Sequence, residues 1–194
     1  MSSSKAELRN DALQRRNDIG FQIRADFAAR LAIVGPPLVL ECLPSTGKPV
    51  TAMFSPIGSE PDARPMALAL HAAGVPLVLP VDLSHGSPLI FRRWTPGDRL
   101  AVGPLGIAEP LPEAAELEPD VLVVPLIAFD RRGHRIGYGA GNYDRTLSAL
   151  RRRKQVRVIG VAFGIQEERS IPNEPHDEPV DLILTDRNVL LCQS

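Results

Sequence analysis

The sequence predicts an α/β fold: a single domain built on a mainly parallel sheet with helices on both faces. Three observations carry this expectation. Short apolar, β-branched runs alternate with segments of helical periodicity along the chain. The clearest alternation, residues 121–150, reads as buried strand, glycine-rich loop and helix. A length of 194 residues suffices for one well-buried core, so residues 1–194 are read as one unit.

Taken in order, Ser4 is placed to cap a helix beginning at Lys5, with Leu8, Ala12 and Leu13 as a thin apolar stripe. Lys5 and Arg9 are four apart and share a face, while Arg15 and Arg16 lie further round. Residues 21–33 continue as a second helical pattern, which Gly35-Pro36-Pro37 is expected to stop. Residues 38–43 and 50–55 read as strands. Residues 61–73 are a helix candidate, regular only after Pro65, with Gly74 as its natural end. Residues 75–81 and 89–94 read as further strands, the second ending in Trp94, the only tryptophan. The stretch 95–119, rich in Pro and Gly, is expected to be irregular. After the central stretch come a strand at 157–163, a polar loop at 166–179 and a last strand at 180–185.

The central stretch carries the strongest signal for chemistry. Val121, Val123 and Val124 open a buried strand, and Asp130-Arg131-Arg132-Gly133 suggests a hairpin. Gly137, Gly139 and Gly141 then alternate with Tyr138 and Ala140. Tyr143, Leu147 and Leu150 follow at helical spacing, and Arg151 to Lys154 close the helix as a solvated, dipole-favoured basic end. A glycine loop feeding a helix start offers exposed N–H groups and a helix dipole, both of which favour anions. The spacing matches neither the Walker nor the Rossmann pattern, so a plain strand-to-helix turn competes with an anion cradle. In such sheets ligands gather at the carboxyl ends of strands, where Ser55 to Glu60, Phe91 to Trp94, the glycine loop and the loop after Phe163 are all expected.

Composition narrows the classes. A net charge of −1 argues against a general nucleic-acid or membrane-surface partner. No run approaches the length of a membrane span, and the first residues lack an apolar signal core. Two isolated cysteines, Cys42 and Cys192, fit a reducing compartment and burial rather than catalysis. Composition is read as that of a cytoplasmic protein, and the chain is expected to be a monomer.

The four histidines, His71, His85, His134 and His176, show no zinc spacing. A nucleotide-bound magnesium ion needs only one or two carboxylates, and Asp144, opening the helix beside the glycine loop, suits that role. A helix-dipole partner would explain Asp144 equally. Asp177 sits in the late loop. No nucleophile elbow is present. Glu60, directly after a strand, would orient a polar substrate edge or serve as a helix-terminal acid. Phe54, Phe91 and Trp94 are candidates for an aromatic pocket or for ordinary core.

These residues carry a family resemblance. The run from Phe129-Asp130 through Gly133, Arg135, Gly137, Gly139 and Gly141 to Tyr143-Asp144 resembles the signature F-D-x-x-G-x-R-x-G-x-G-x-G-[YF]-Y-D of 5-formyltetrahydrofolate cyclo-ligases, also called methenyltetrahydrofolate synthetases. Lys5 with Arg9, the segment from Phe54 to Glu60, Leu89 to Trp94, Gly106 to Pro110, Gln166 and Pro175-His176-Asp177 are similar to other stretches of that family, so the resemblance covers most of the chain. It implies an α/β enzyme that uses ATP and Mg²⁺ to close 5-formyltetrahydrofolate to 5,10-methenyltetrahydrofolate, releasing ADP and phosphate. By the resemblance, Lys5, Arg9, Arg135, Ile136, Gly137, Tyr138, Gly139, Ala140, Gly141, Asn142 and Tyr143 hold ATP. Arg135, Tyr143 and Asp144 serve catalysis, and Asp144 and Asp177 bind magnesium. Phe54, Ser55, Glu60 and Trp94 meet the reduced formyl folate, with Tyr138 to Asn142 lying between the two ligands.

Two positions depart from the family pattern. Asn142 stands where an aromatic is usual and Phe54 where Tyr is usual. Two other readings are carried forward. One is a paralogue that keeps the ATP site and acts on another substrate. The other is a non-catalytic folate or nucleotide binder.

Overall fold

The computed structural model describes residues 4–45, 47–83, 86–104 and 106–192; His85 lies outside them. Helix α1 (Lys5–Asn17) begins at a capping box, in which the Ser4 hydroxyl accepts the Glu7 N–H and the Glu7 carboxylate accepts the Ser4 N–H. Its stripe of Leu8, Ala12 and Leu13 packs on Ile127, Ala128, Ile136 and Ile171, which lays α1 along the central stretch.

Helix α2 (Phe21–Cys42) corrects the sequence reading twice. It runs through Gly35-Pro36-Pro37, and residues 38–42, expected as strand, are its last turns. Two prolines remove two intrahelical donors, a cost that would end an isolated helix. Here Phe27, Leu31 and Val39 are buried in the core, and Gly35 presses on α3 so closely that a Cβ would lie 2.5 Å from Met66 Sδ. Tertiary packing outweighs the local preference. Helix α3 (Arg64–Ala72) carries Pro65 in its first turn, where no donor is needed. It ends in a Schellman motif: Gly74, at φ +80, donates to His71 O (2.9 Å), and Val75 donates to Leu70 O (3.1 Å).

The main sheet contains β1 (Thr51–Ala52), β2 (Leu77–Val81), β3 (Ile90–Arg93), β6 (Val121–Pro125), β9 (Arg157–Val161), β10 (Leu182–Leu184) and β11 (Val189–Leu191). The order across it is β11-β10-β9-β6-β1-β2-β3, parallel except at the two edges, where β3 and β11 run antiparallel. Strand alternation divides the core. Val121, Val123, Ile159 and Val161 face α2 and α3, whereas Leu122, Val124 and Val158 face Leu147 and Leu150 of α4 (Asn142–Arg151). Helices therefore cover both faces, as expected.

Between β3 and β6 the chain is not wholly irregular, since β4 (Leu100–Val102) and β5 (Ala108–Pro110) form a hairpin. A second hairpin, β7 (Ala128–Phe129) with β8 (Arg135–Ile136), turns through Asp130–Gly133, with Gly133 at φ +86. A short 3-10 helix, Gly164–Gln166, follows β9. Arg151 and Lys154 at the end of α4 are less solvated than expected: they pair with Glu178 (2.7 Å) and Asp120 (2.8 Å). Among the described residues no helix is long and apolar enough to cross a membrane.

Candidate active site

The loops after β1, β2 and β6 leave the carboxyl edge of the sheet together and, with α1, enclose a cavity of about 650 Å³. Lys5, Arg9, Phe54, Ser55 and Glu60 line it, as do all of Arg135 to Asp144 and Asp177. Every site residue named from the sequence is there except Trp94.

Trp94 is a correction with a plain cause. Strand β3 is antiparallel to β2, so it starts beside the carboxyl end of β2 (Ile90 opposite Val81) and finishes at the other edge. There the Trp94 N–H donates to Leu77 O (3.0 Å), and its ring packs on the core. Leu89, before β3, reaches the cavity instead.

One end of the cavity is built from cations and glycines. Arg9 Nε donates to Gly137 O (2.7 Å), and the Arg9 guanidinium lies against Gly139, where a Cβ would sit 3.4 Å from Nη2. Gly139 and Gly141 have φ of +95 and +68, so the loop takes a course that side-chain-bearing residues resist. Gly141 begins α4 without a side-chain cap, leaving the first helical N–H groups without one. Lys5 Nζ lies 2.5 Å from Asp177 Oδ2. The buried Arg135 donates to Asp144 Oδ1 (2.8 Å), which also accepts the Glu178 N–H (3.1 Å). Burial pulls the Arg135 pKa down, and Asp144 opposes that shift. Burial would raise the Asp177 carboxyl, but hydrogen bonds from Lys5 and the Glu174 N–H hold it below the ordinary value.

The other end is aromatic and acidic. Glu60 is 7% exposed, and its Oε2 accepts the Ile57 N–H (3.0 Å). Burial pushes its carboxyl up, against the Ile57 hydrogen bond, the Arg16 charge and the Tyr138 hydroxyl. Burial also raises the Tyr143 phenol, helped by the Glu60 charge. Phe54 is buried and lines the cavity with Glu60, and the Ser55 hydroxyl is already committed to Ala108 O (2.8 Å).

Three residues with no role assigned from the sequence belong here. Asp82 follows β2 and Glu109 lies in β5; both are buried and both line the cavity. The Asp82 N–H donates to Glu109 Oε1 (3.2 Å), and Asn142 Nδ2 donates to Asp82 Oδ2 (3.1 Å). Burial, with the Asp82 charge adding, raises the Glu109 carboxyl. An acid closing a buried strand was the available signal for Asp82. The third residue, Arg16, is 1% exposed and bonded to Tyr138.

The cysteines are free thiols away from the cavity; burial and then the Asp181 and Asp130 charges push Cys192 up to about 11. Among the described residues no three His, Cys, Asp or Glu converge as a ready-made metal cage. Asp144 and Asp177, on one wall with Lys5 and Arg135, do fit an ion brought in with a polyphosphate, which needs only one or two carboxylates.

Fold and site together define an α/β protein whose cavity joins a cationic, glycine-rich end to an acidic and aromatic one. A sequence profile of the 5-formyltetrahydrofolate cyclo-ligase family matches residues 1–186. The 5-formyltetrahydrofolate cyclo-ligase of Mycolicibacterium smegmatis is 34% identical over 97% of both chains; that of Escherichia coli K12 is 35% identical over 71% of this chain and 78% of its own. The solved structure of Aquifex aeolicus 5,10-methenyltetrahydrofolate synthetase superposes with a TM-score of 0.79 at 29% identity, covering 98% of this chain and 93% of that one. The chain belongs to the 5-formyltetrahydrofolate cyclo-ligase family and is an enzyme of the ligase class.

Proposed function

We propose that the protein closes 5-formyltetrahydrofolate to 5,10-methenyltetrahydrofolate at the expense of MgATP, releasing ADP and phosphate. The observation that carries this reading is one cavity with two chemically opposite ends. Lys5, Arg9, Arg135 and the glycine loop suit a polyphosphate, whereas Phe54, Glu60 and Tyr138 suit a flat heterocycle rich in N–H donors. The two meet at Tyr138 to Asn142.

The chemistry asks for that junction. A formyl oxygen is a poor leaving group. Its lone pair attacks the γ-phosphorus, the bond to the ADP oxygen breaks, and the formyl carbon becomes electrophilic. The N10 lone pair then closes the ring, N10 gives up its proton, and phosphate departs with the former formyl oxygen. Phosphoryl transfer needs positioning and charge stabilisation above all. Loop N–H groups with Lys5 and Arg9 hold the phosphates, Arg135 steadies the charge on the transferred group, and Tyr143, whose phenol feels the Glu60 and Arg135 charges, lines the cavity with them. Asp144 and Asp177 would hold Mg²⁺, which supplies neutralisation of phosphate charge when bound. Phe54, Ser55 and Glu60 orient the pterin. One chain supplies both ends, so we read an enzyme complete as a monomer; a net charge of −1 supports reading it as cytoplasmic, with no nucleic-acid or membrane partner.

Incubation with MgATP and 5-formyltetrahydrofolate tests the reading: the methenyl chromophore and ADP are expected in equal amounts, and neither when one substrate is omitted. ATP consumption without ring closure would indicate a paralogue with another substrate. Absence of both would leave a binder.

Asn142 gives a second test. An aromatic there would stack on the folate, and such contacts contribute roughly 0.5–1.5 kcal/mol beyond area burial. Asn142→Tyr is expected to lower the folate KM several-fold, up to about tenfold, with the ATP KM nearly unchanged. Steady-state kinetics varying each substrate in turn measures it, and an unchanged folate KM would mean that position 142 does not reach the folate.

A further inference from the structure

Helix α1 contributes a third cation whose position the ATP reading does not explain. Lys5 and Arg9 face the polyphosphate end, but Arg16 turns inward and is 1% exposed. Its Nε donates to Ser59 Oγ (3.0 Å), and Nη2 donates to Tyr138 Oη (2.9 Å). The guanidinium carbon stands 6.0 Å from the Tyr138 ring centroid. Its carbonyl accepts a short hydrogen bond from Arg24, which also donates to Ser59 O (2.7 Å) and Ile19 O (3.0 Å). Arg16 is thus fixed from both its main chain and its side chain.

A buried guanidinium needs compensation, and the partners of Arg16 are neutral hydroxyls. Its Nη1 is buried without a hydrogen-bond partner among the described residues. The nearby countercharge is Glu60, next to Ser59, whose carboxyl feels the Arg16 charge and the Tyr138 hydroxyl. One side chain therefore touches the glycine loop through Tyr138 and the Glu60 turn through Ser59. The two segments line different ends of the cavity.

We propose that Arg16 is a positioning residue that ties the glycine loop to the Glu60 turn, so that nucleotide and folate bind cooperatively. This rests on the reading of the Glu60 end as the folate end. When MgATP orders the loop, Tyr138 is fixed, and the Arg16 bonds fix the Glu60 turn with it. The second ligand then meets a site whose ordering cost is already met. Coupling is reciprocal: each ligand tightens the other by the same factor.

The test is the Kd of 5-formyltetrahydrofolate with and without a saturating non-hydrolysable ATP analogue and Mg²⁺. In the unsubstituted protein the analogue is expected to tighten folate about tenfold. In Arg16→Gln that ratio falls to near one, while the analogue's own Kd without folate stays within about threefold. Tyr138→Phe guards against a variant that fails to fold, since the residue is 52% exposed and loses only the hydroxyl. It is expected to cut the ratio about threefold, the worth of one net hydrogen bond, and the double variant to be no worse than Arg16→Gln. A purely structural Arg16 would lower Tm and leave the ratio intact, which overturns the inference; so does a full ratio in Tyr138→Phe. If the unsubstituted protein binds no formyl folate, the functional reading itself is what fails.

Discussion

Asp144→Asn is expected to lower kcat by about 30- to 1,000-fold while the folate KM stays within about threefold, corresponding to roughly 2–4 kcal/mol of lost transition-state stabilisation. The carboxylate stands in the first turn of α4, accepts Arg135 Nη2 at 2.8 Å and is still 24% exposed to the cavity. An amide keeps its volume and removes its charge. That leaves the buried Arg135 without its counterion and weakens the carboxylate proposed for magnesium, whereas the pterin groups at Phe54 and Glu60 are untouched. Were Asp144 only a helix-dipole partner, the change would cost about 0.3–1 kcal/mol of stability and nothing in turnover. Initial rates across a magnesium series distinguish the two, and a parental rate at every concentration would sink the assignment.

The largest effect on stability is expected at Asp130. It is 1% exposed and accepts the N–H groups of Arg132 (3.0 Å), His134 (3.2 Å) and Ile171 (3.0 Å) together with Arg132 Nη2 (2.7 Å). One carboxylate thus fastens the β7–β8 hairpin to the late loop. Alanine would strand several donors, so Asp130→Ala is expected to cost about 3–5 kcal/mol, or roughly 10 °C in Tm. Burial alone would raise this carboxyl, but the Ile171 and Arg132 hydrogen bonds outweigh it and hold the pKa below the ordinary value. A depressed carboxyl stabilises the fold above the unfolded-state value of about 4, and that contribution is lost as pH falls through the folded-state value. Asp130→Asn should therefore lose less stability than the parent between pH 5 and pH 2, about one proton's share of the slope. Urea unfolding across that range measures it. A loss under about 1 kcal/mol in Asp130→Ala at neutral pH would contradict the role as a hub.

What could be read from the sequence follows the range of the forces involved. The glycine loop was legible because its positive φ values at Gly139 and Gly141 require glycine itself, so the backbone course is written in residue type. The α1 cap and the Gly74 stop are equally local, each satisfied within a few residues. Local rules fail where distant packing overrides them. Pro36-Pro37 reads as a stop, yet α2 continues because its buried face, with Gly35 against Met66, outweighs two missing donors. Trp94 reads as a site residue until the direction of β3 is known, and pairing with β2 sets that direction. The exposed edge strand β11 is too short to announce itself. Arg16 and Glu109 were given no role because charged residues ordinarily face water, and for Asp82 the one local signal was its place at the end of a buried strand.

The central proposed step is direct transfer of the γ-phosphoryl group to the formyl oxygen inside one cavity. That oxygen can be followed. With 5-formyltetrahydrofolate carrying ¹⁸O in the formyl group and unlabelled MgATP in ordinary water, a single turnover should place the label in the released inorganic phosphate, one atom per methenyl product. Mass spectrometry of the phosphate reads it. Label recovered in solvent water, with unlabelled phosphate, would mean that ring closure and ATP cleavage proceed without that bond, and the proposed mechanism would be wrong.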